Sequence, residues 1–173
     1  LTNLSSTKNN IILDFNYTAS TRLILKQCGL SDEDIDNRLI KVHGEASNND
    51  IIFGVEDNAG IKKEHVFLRK AYNIKYKALN FSELYDRIKS VAIFGHSLGE
   101  TDHTYFNKLF QESCMYNKFS TNNNKEFWLF YYKENGYHCM MQQLDSLTHN
   151  SLTSFRQYNR VNFINTDKEK VFI

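Results

Sequence analysis

Short apolar runs alternate along the chain with segments whose apolar residues recur every three or four positions. Continuous apolar runs predict buried strands, here over residues 11–15, 39–43, 50–53, 91–94, 126–132 and 161–164. Helical spacing predicts helices over residues 18–27, 82–89, 102–115 and 137–148. The acidic stretch 31–36 is interpreted as a loop. Strands of this kind separated by helices are typical of an α/β fold, so we expect a mostly parallel central sheet with helices on both faces.

Glycines mark one edge of this predicted sheet. The chain has seven glycines and no proline, and four of the glycines lie at or just past the end of a predicted strand. These four are Gly44, Gly54, Gly95 and Gly99. Asn16 and His43 also come at or directly after the end of an apolar run. Because open parallel sheets bind ligands at the carboxyl ends of their strands, this edge is the predicted binding site.

Composition narrows the class of protein. A length of 173 residues fits one domain, and we expect a single α/β domain over residues 1–173. The net charge of +1 gives no attraction to nucleic acid or to an anionic membrane. No apolar run reaches the roughly 18–20 residues of a membrane span. Three widely spaced cysteines predict reduced thiols. We therefore expect a cytoplasmic protein that binds neither membrane nor nucleic acid, with its oligomeric state left open.

One motif matches the nucleophile elbow of α/β-hydrolases. Residues 95–99 read GHSLG, between a predicted strand and a predicted helix, which is the context that the G-x-S-x-G motif requires. Ser97 would be the nucleophile, and an acid followed by a histidine should come later in the chain. Of the later histidines, His103 is too close to the elbow, and His149, four residues after Asp145, suits a surface pair. Asp102 or Glu134 followed by His138 is the remaining combination of acid and base. A serine hydrolase built on Ser97 therefore stays an alternative.

Taken in order, the strand-end motifs resemble the AbiH family of bacteriophage abortive-infection proteins. The motifs are DFNYT (14–18), VHGE (42–45), IFGVED (52–57) and IFGHSLGETD (93–102). They are more distantly similar to sirtuin-like NAD-binding domains, which carry an Asn after one strand, a His-Gly after the next and a Gly-x-Ser-Leu after a later one. The resemblance covers residues 11–106. It implies a sirtuin-like or Rossmann-like fold, a role in bacterial phage defence, and NAD binding or NAD glycohydrolysis.

The resemblance also implies catalytic roles for two residues. His43 would be the general base, because an imidazole suits proton abstraction near neutral pH. Asn16 would orient the attacking water or the nicotinamide ribose, and Gly44 would lie beside them at the ligand. AbiH and sirtuin-like proteins open with a glycine-bearing strand-to-helix turn, and no glycine precedes Ile11 here. We therefore expect this chain to be the later part of a longer AbiH-like protein.

Further ligand contacts are implied after the 91–94 strand. Gly95 and Ser97 would hold a phosphate or the adenosine ribose at the start of the next helix. Asp102 would cap that helix or bind a ribose hydroxyl. His96 and His103 flank Asp102, but no further ligands follow at a recognised metal-site spacing, so no metal is expected. A non-catalytic nucleotide-binding or interaction module is the remaining alternative.

Overall fold

The computed structural model of the chain describes residues 10–52, 54–55, 59–72, 87–115 and 124–168. The chain divides into an N-terminal unit, residues 1–77, and a C-terminal unit, residues 78–173. Each unit is described by itself, and a continuous domain over 1–173 stays a prediction. Within the described residues, no helix is long and apolar enough to cross a membrane.

The N-terminal unit contains a small parallel sheet and two helices. Its elements are β1 (Ile12–Asp14), α1 (Ser20–Gln27), α2 (Asp32–Asp36) and β2 (Leu39–Lys41). Short 3-10 turns follow at Ala46–Asn48, Lys63–Leu68 and Lys70–Tyr72. β1 pairs with β2 in parallel, with Leu13 opposite Ile40. Leu25, Leu30 and Ile35 form a buried core against which the sheet residues Ile12 and Leu39 pack.

Two predictions in this unit were wrong. The predicted loop over 31–36 contains helix α2, because Ser31 caps it by accepting a hydrogen bond from the Asp34 N–H at 3.1 Å. Full burial of Ile35 holds that helix against the core. The strand predicted over 50–53 does not form at residues 50–52, since the Ile52 N–H donates to the loop carbonyl of His43 at 2.9 Å. Phe53 lies outside the described residues.

The C-terminal unit has a three-stranded sheet. Its elements are β3 (Ser90–Ile93), α3 (His103–Ser113), β4 (Glu126–Tyr131), α4 (Lys133–Leu147), α5 (Leu152–Tyr158) and β5 (Arg160–Asn165). The strand order is β3-β4-β5, and both pairings are parallel. The α/β class and the parallel pairing predicted from the sequence are confirmed, and the described strands form two small sheets. A Rossmann-like arrangement stays a prediction.

The helices of this unit differ from the predicted ones in three places. α4 begins at Lys133 rather than at residue 137, and α5 was not predicted. α5 is short, so its sequence shows little periodicity, and Phe155 alone in it is buried. The predicted helix over 82–89 falls on residues 82–86, which lie outside the described residues, and on residues 87–89, which are not helical.

Aromatic packing anchors the C-terminal sheet to its helices. Phe110 of α3, Phe127 of β4 and Phe155 of α5 are fully buried and in mutual contact, with ring centroids 4.8–5.6 Å apart. The apolar stripe predicted for α3 is confirmed as core, as are Met140, Leu144 and Leu147 of α4. In β4, Phe127 and Leu129 are buried, but Tyr132, at the end of the run predicted as core, is 59% exposed, so that prediction is confirmed only in part. The side chain of Lys125, just before β4, is also buried, and its Nζ donates to the Ile88 carbonyl at 2.8 Å. This lysine secures the amino-terminal edge of the sheet, opposite the edge that carries the candidate site.

Candidate functional site

The loop that follows β1 is fixed by a buried ion pair. Lys41 Nζ donates to Asp14 Oδ2 at 2.8 Å, with side-chain exposures of 16% and 2%. The same ammonium donates to the carbonyls of Asn16 and, at 2.7 Å, of Thr18. Asp14 Oδ1 accepts the Asn16 N–H at 2.9 Å. The backbone of Asn16 is therefore held at both its N–H and its C=O.

Burial and hydrogen bonding shift the pKa of the Asp14 carboxyl in opposite directions. Burial raises its pKa, because the charged form loses hydration. Hydrogen bonds from Lys41, the Asn16 N–H and Thr21, together with the charge of Lys41, lower it by more. The pKa of Asp14 is therefore below its ordinary value, and the folded protein holds this group as a carboxylate.

A pH dependence of stability follows from this pKa. Because folding lowers the pKa of Asp14, its contribution is complete above the unfolded value, about 4, and is lost as pH falls through the folded value. We expect the N-terminal unit to lose stability on acidification below about pH 4. The difference in free energy of unfolding between wild type and Asp14→Asn should become smaller over the same range. Hydrogen exchange of the Val42 amide, which donates to Asp14 O, measures this. A difference in free energy of unfolding that is constant down to about pH 2 contradicts the prediction.

His43 is buried under the loop that carries Asn16. Its side chain lies edge to face with Phe15, with ring centroids 5.4 Å apart, and stacks on Tyr17 at 5.8 Å. The residue is only 7% exposed. Asn16, between the two aromatic residues, is exposed, and no other described residue hydrogen-bonds its side-chain amide. The structure thus places the predicted base and the predicted orienting amide in one cluster at the carboxyl ends of β1 and β2.

Gly44 has a structural role in this cluster. Its φ is +73°, and a Cβ at this position would lie 2.1 Å from the carbonyl oxygen of Asp50. The Asp50 carboxylate accepts the Glu45 N–H at 2.6 Å. The loop after β2 therefore closes tightly on Gly44, which sets the path of the chain directly after His43. A contact between Gly44 and a ligand stays a prediction.

The second group of predicted residues lies in the C-terminal unit, in the turn between β3 and α3. We call residues 95–99 the GHSLG turn. Gly95 and Leu98 have positive φ values of +65° and +55°, and the Leu98 side chain is fully buried. Ser97 is exposed, and within the described part of the chain no imidazole hydrogen-bonds its hydroxyl. The turn thus presents a hydroxyl to solvent and lacks the serine–histidine hydrogen bond typical of a hydrolase.

The His96 side chain accepts a hydrogen bond from the backbone of this turn. The Leu98 N–H donates to His96 Nδ1 at 2.9 Å, so Nδ1 carries a lone pair and, in the neutral ring, Nε2 carries the proton. Nε2 lies 3.4 Å from Asp102 Oδ2. Asp102 stands at the N-cap position of α3 but makes no capping hydrogen bond, so the predicted capping role is wrong. Its predicted contact with a ribose hydroxyl stays a prediction.

Sequence reasoning missed the roles of Lys41 and His96. Lys41 interrupts an otherwise apolar run, LIKVH, and a charged residue inside a buried strand signals a buried partner. His96 lies inside the matched motif, but its two hydrogen-bonding directions depend on the left-handed backbone at Leu98. His103, the next histidine, donates from Nε2 to the Leu98 carbonyl at 3.0 Å. Both imidazoles therefore support the GHSLG turn.

Comparison with known families identifies the chain. The model of the family described as "Bacteriophage abortive infection AbiH" matches residues 1–132. Searches of curated proteins and of solved structures found no significant match. The matched segment spans most of the chain and includes His43 in one unit and the GHSLG turn in the other. This protein therefore belongs to the bacteriophage abortive infection family AbiH.

Proposed function

We propose that this AbiH protein binds NAD in the bacterial cytoplasm and hydrolyses the bond between nicotinamide and ribose. One observation carries the proposal: the exposed Asn16 amide lies on a loop packed over the buried His43. Both residues follow parallel strands at their carboxyl ends, where open α/β sheets bind ligands. Depletion of NAD would stop the metabolism of an infected cell, which fits an abortive-infection family.

The N-terminal unit would supply the chemistry. The oxygen of a water molecule attacks C1′ of the nicotinamide ribose while the bond from C1′ to the ring nitrogen breaks. Nicotinamide leaves as a neutral molecule with the electron pair of that bond, and the water proton passes to a nitrogen of His43. The Asn16 amide holds the water or a ribose hydroxyl in line. The packed rings of Phe15 and Tyr17 fix the imidazole in one orientation.

In the C-terminal unit, the GHSLG turn would bind a phosphate or a ribose. Ser97 offers an exposed hydroxyl in the GHSLG turn, and the 3-10 turn Glu100–Asp102 leads from it into α3. Phosphate groups bind well at such helix starts, because backbone N–H groups there lack partners within the helix. Gly95 has no Cβ to obstruct an approaching ligand, and its positive φ suits glycine.

Asn16→Ala gives the sharpest test of the proposed reaction. The exposed side chain makes no hydrogen bond within the described residues, so its removal should leave folding intact. We expect NAD hydrolysis by the full chain, followed as nicotinamide release, to fall about 10²-fold. His43→Gln should lower it about 10²–10⁴-fold. Asn37→Ala, also exposed but before β2 at the opposite edge of the sheet, is the matched control and should keep full activity.

Two other measurements separate the alternatives. Labelling of Ser97 by a fluorophosphonate probe, with no NAD loss, would favour the serine hydrolase. Thermal stabilisation by NAD without turnover would favour a binding module. Equal NAD hydrolysis by wild type, Asn16→Ala and His43→Gln would overturn the proposed mechanism.

A further inference from the structure

We infer that β5 is a dimerisation strand: the β5 strands of two copies of this chain pair antiparallel and join their C-terminal sheets into one. The observation that carries the inference is the free side of β5, which is the outer strand of the sheet β3-β4-β5. The inference does not depend on the proposed NAD chemistry, because β5 contains none of the candidate site residues.

The backbone of β5 has one bonded side and one free side. The N–H groups of Arg160 and Thr166 donate to carbonyls at the two ends of β4, at 3.0 and 2.9 Å. In a parallel ladder every second residue bonds to the same neighbour, so the residues between these positions alternate in direction. Within the described residues, three N–H groups that point away from β4 have no acceptor, and they belong to Val161, Phe163 and Asn165.

β5 lacks the features that keep an outer strand from pairing. Natural sheets protect such strands with prolines, inward-facing charges, bulges or very short lengths. β5 is 6 residues long, contains no proline and has one charged residue, Arg160, at its start. Its register with β4 runs without interruption to Asn165, so no bulge turns the strand away. A strand of this kind is a template for a further strand.

The apolar side chains of β5 also remain partly exposed. Val161, Phe163 and Ile164 are only half-buried, whereas Phe127 and Leu129 of the neighbouring β4 are fully buried. A strand added on the free side of β5 would cover these side chains and remove apolar surface from water. Among the described strands, none lies there.

Two-fold symmetry makes a second copy of β5 a complete partner. In an antiparallel pair with the two Phe163 residues opposite each other, Val161 of each copy faces Asn165 of the other. All of these residues direct their N–H groups to the free side, so each donor meets a carbonyl of the other copy. The same strand therefore supplies both halves of the ladder.

Charge favours the same pairing. In this register Arg160 of one copy faces Thr166 of the other, next to the Asp167 carboxylate, while Lys168 lies one position further away. Asp167 is exposed, and the Arg160 side chain is 77% exposed. Arg160 contacts Glu126 through Nε at 3.5 Å, which leaves its terminal nitrogens for a second carboxylate. Because the two-fold axis repeats the contact, opposite charges meet at both ends of the pair.

The oligomeric state of the full chain gives the first test. Sedimentation equilibrium should show a dimer instead of the 20.3 kDa monomer. Val161→Pro should raise the dimer Kd about 100-fold or more, because proline has no N–H and its ring obstructs the free side. Val161→Ala keeps the N–H and is the matched control, with a Kd within about threefold of wild type. Fluorescence of Trp128, the single tryptophan, verifies that the C-terminal unit of each variant is folded.

Charge exchange at the strand ends tests the antiparallel direction. Asp167→Lys should raise the dimer Kd about tenfold, because like charges then meet at both ends. Adding Arg160→Glu restores opposite charges in reverse order, so the double variant should return to within about threefold of wild type. Both side chains are exposed, so neither change should unfold the chain. A double variant that dimerises no better than Asp167→Lys would contradict the predicted direction.

Disulfide formation tests the register. Asn162 of one copy should face Ile164 of the other at a non-hydrogen-bonded position, with Cα atoms about 4.5 Å apart, which a disulfide can bridge. On oxidation, a mixture of Asn162→Cys and Ile164→Cys proteins should therefore form a covalent dimer. Each variant alone should form far less, because identical positions lie diagonally and about 7–8 Å apart. The wild type, with its three cysteines, measures the background.

Three results would overturn the inference. The first is a monomer at about 100 μM chain, a concentration that reveals a weak dimer. The second is a dimer whose Kd is unchanged by Val161→Pro. The third is a dimer whose mixed cysteine variants form no more covalent product than either variant alone, since the two chains would then associate through another surface.

Discussion

Lys41→Met should lower the free energy of unfolding of the N-terminal unit by about 3–5 kcal/mol at neutral pH. The substitution leaves the Asp14 carboxylate, 2% exposed, without the ammonium that now lies 2.8 Å away. It also removes the donor shared by the carbonyls of Asn16 and Thr18. A buried charge without a partner destabilises the folded state, because the low-dielectric interior offers no interaction as strong as the hydration that the charge has lost.

The same substitution at Lys26 is the matched control. Lys26 pairs with Asp32 at 2.8 Å, but both side chains are largely exposed, so water replaces the lost contact and we expect only a small change. Hydrogen exchange of the Val42 amide reports on the N-terminal unit, and Trp128 fluorescence reports on the C-terminal unit. Lys41→Met should alter the first signal far more than Lys26→Met does.

A second variant tests the cause of the loss. Asp14→Asn combined with Lys41→Met removes the buried charge at Asp14, the nearer of the two carboxylates that Lys41 faces, the other being Glu45 at 3.9 Å. The double variant should therefore be more stable at neutral pH than Lys41→Met alone. If Lys41→Met and Lys26→Met instead gave equal changes, the buried pair would not be holding the loop that carries Asn16.

Gly44→Ala should destabilise the N-terminal unit by about 3 kcal/mol or more and displace His43. The new Cβ would lie 2.1 Å from the Asp50 carbonyl oxygen, so the loop that closes back on Asp50 must open. The positive φ of +73° adds a further cost of about 1–2 kcal/mol for any residue with a Cβ. Opening the loop would break the bonds from Glu45 N–H to Asp50 and from Ile52 N–H to His43.

Two other glycines of the same unit separate the cost of the steric clash from the cost of the positive φ. Gly29 has a φ of +86° but open space around its Cβ position, so Gly29→Ala should cost only about 1 kcal/mol. Gly60 has open space and no positive φ, so Gly60→Ala should be close to neutral. Urea unfolding followed by tyrosine fluorescence ranks the three variants. A loss for Gly44→Ala no larger than that for Gly29→Ala would rule out the clash with Asp50.

Much of the fold was predictable because the apolar patterns are strong. The buried faces of α3 and α4 carry stripes of large apolar residues, and these stripes form core together with Phe127 and Leu129 of β4. Short elements were not predictable in the same way. α2 depends on one capping serine and one buried isoleucine, and α5 on the single buried Phe155. Tertiary contacts of a few residues outweigh local preference in such short segments.

The residues of the candidate site were likewise predictable only in part. Asn16, His43, Gly95 and Ser97 were identified from the sequence, because small and polar residues after apolar runs mark the carboxyl edge of a parallel sheet. The supporting residues were not, since nothing in the sequence shows that Lys41 reaches back to Asp14 across 27 positions. In the GHSLG turn, the role of His96 depends likewise on the backbone direction at Leu98.

By itself, then, the sequence determined the α/β class, the parallel strands, the edge that carries the polar residues and the resemblance to AbiH. These follow from periodicity and order along the chain, which local chemistry controls. Only the tertiary structure decided how Lys41 and His96 act, why Gly44 must lack a side chain, and that Asp102 faces an imidazole instead of capping α3. Those facts depend on distances of a few ångströms between segments, and such distances exist only once the chain has folded.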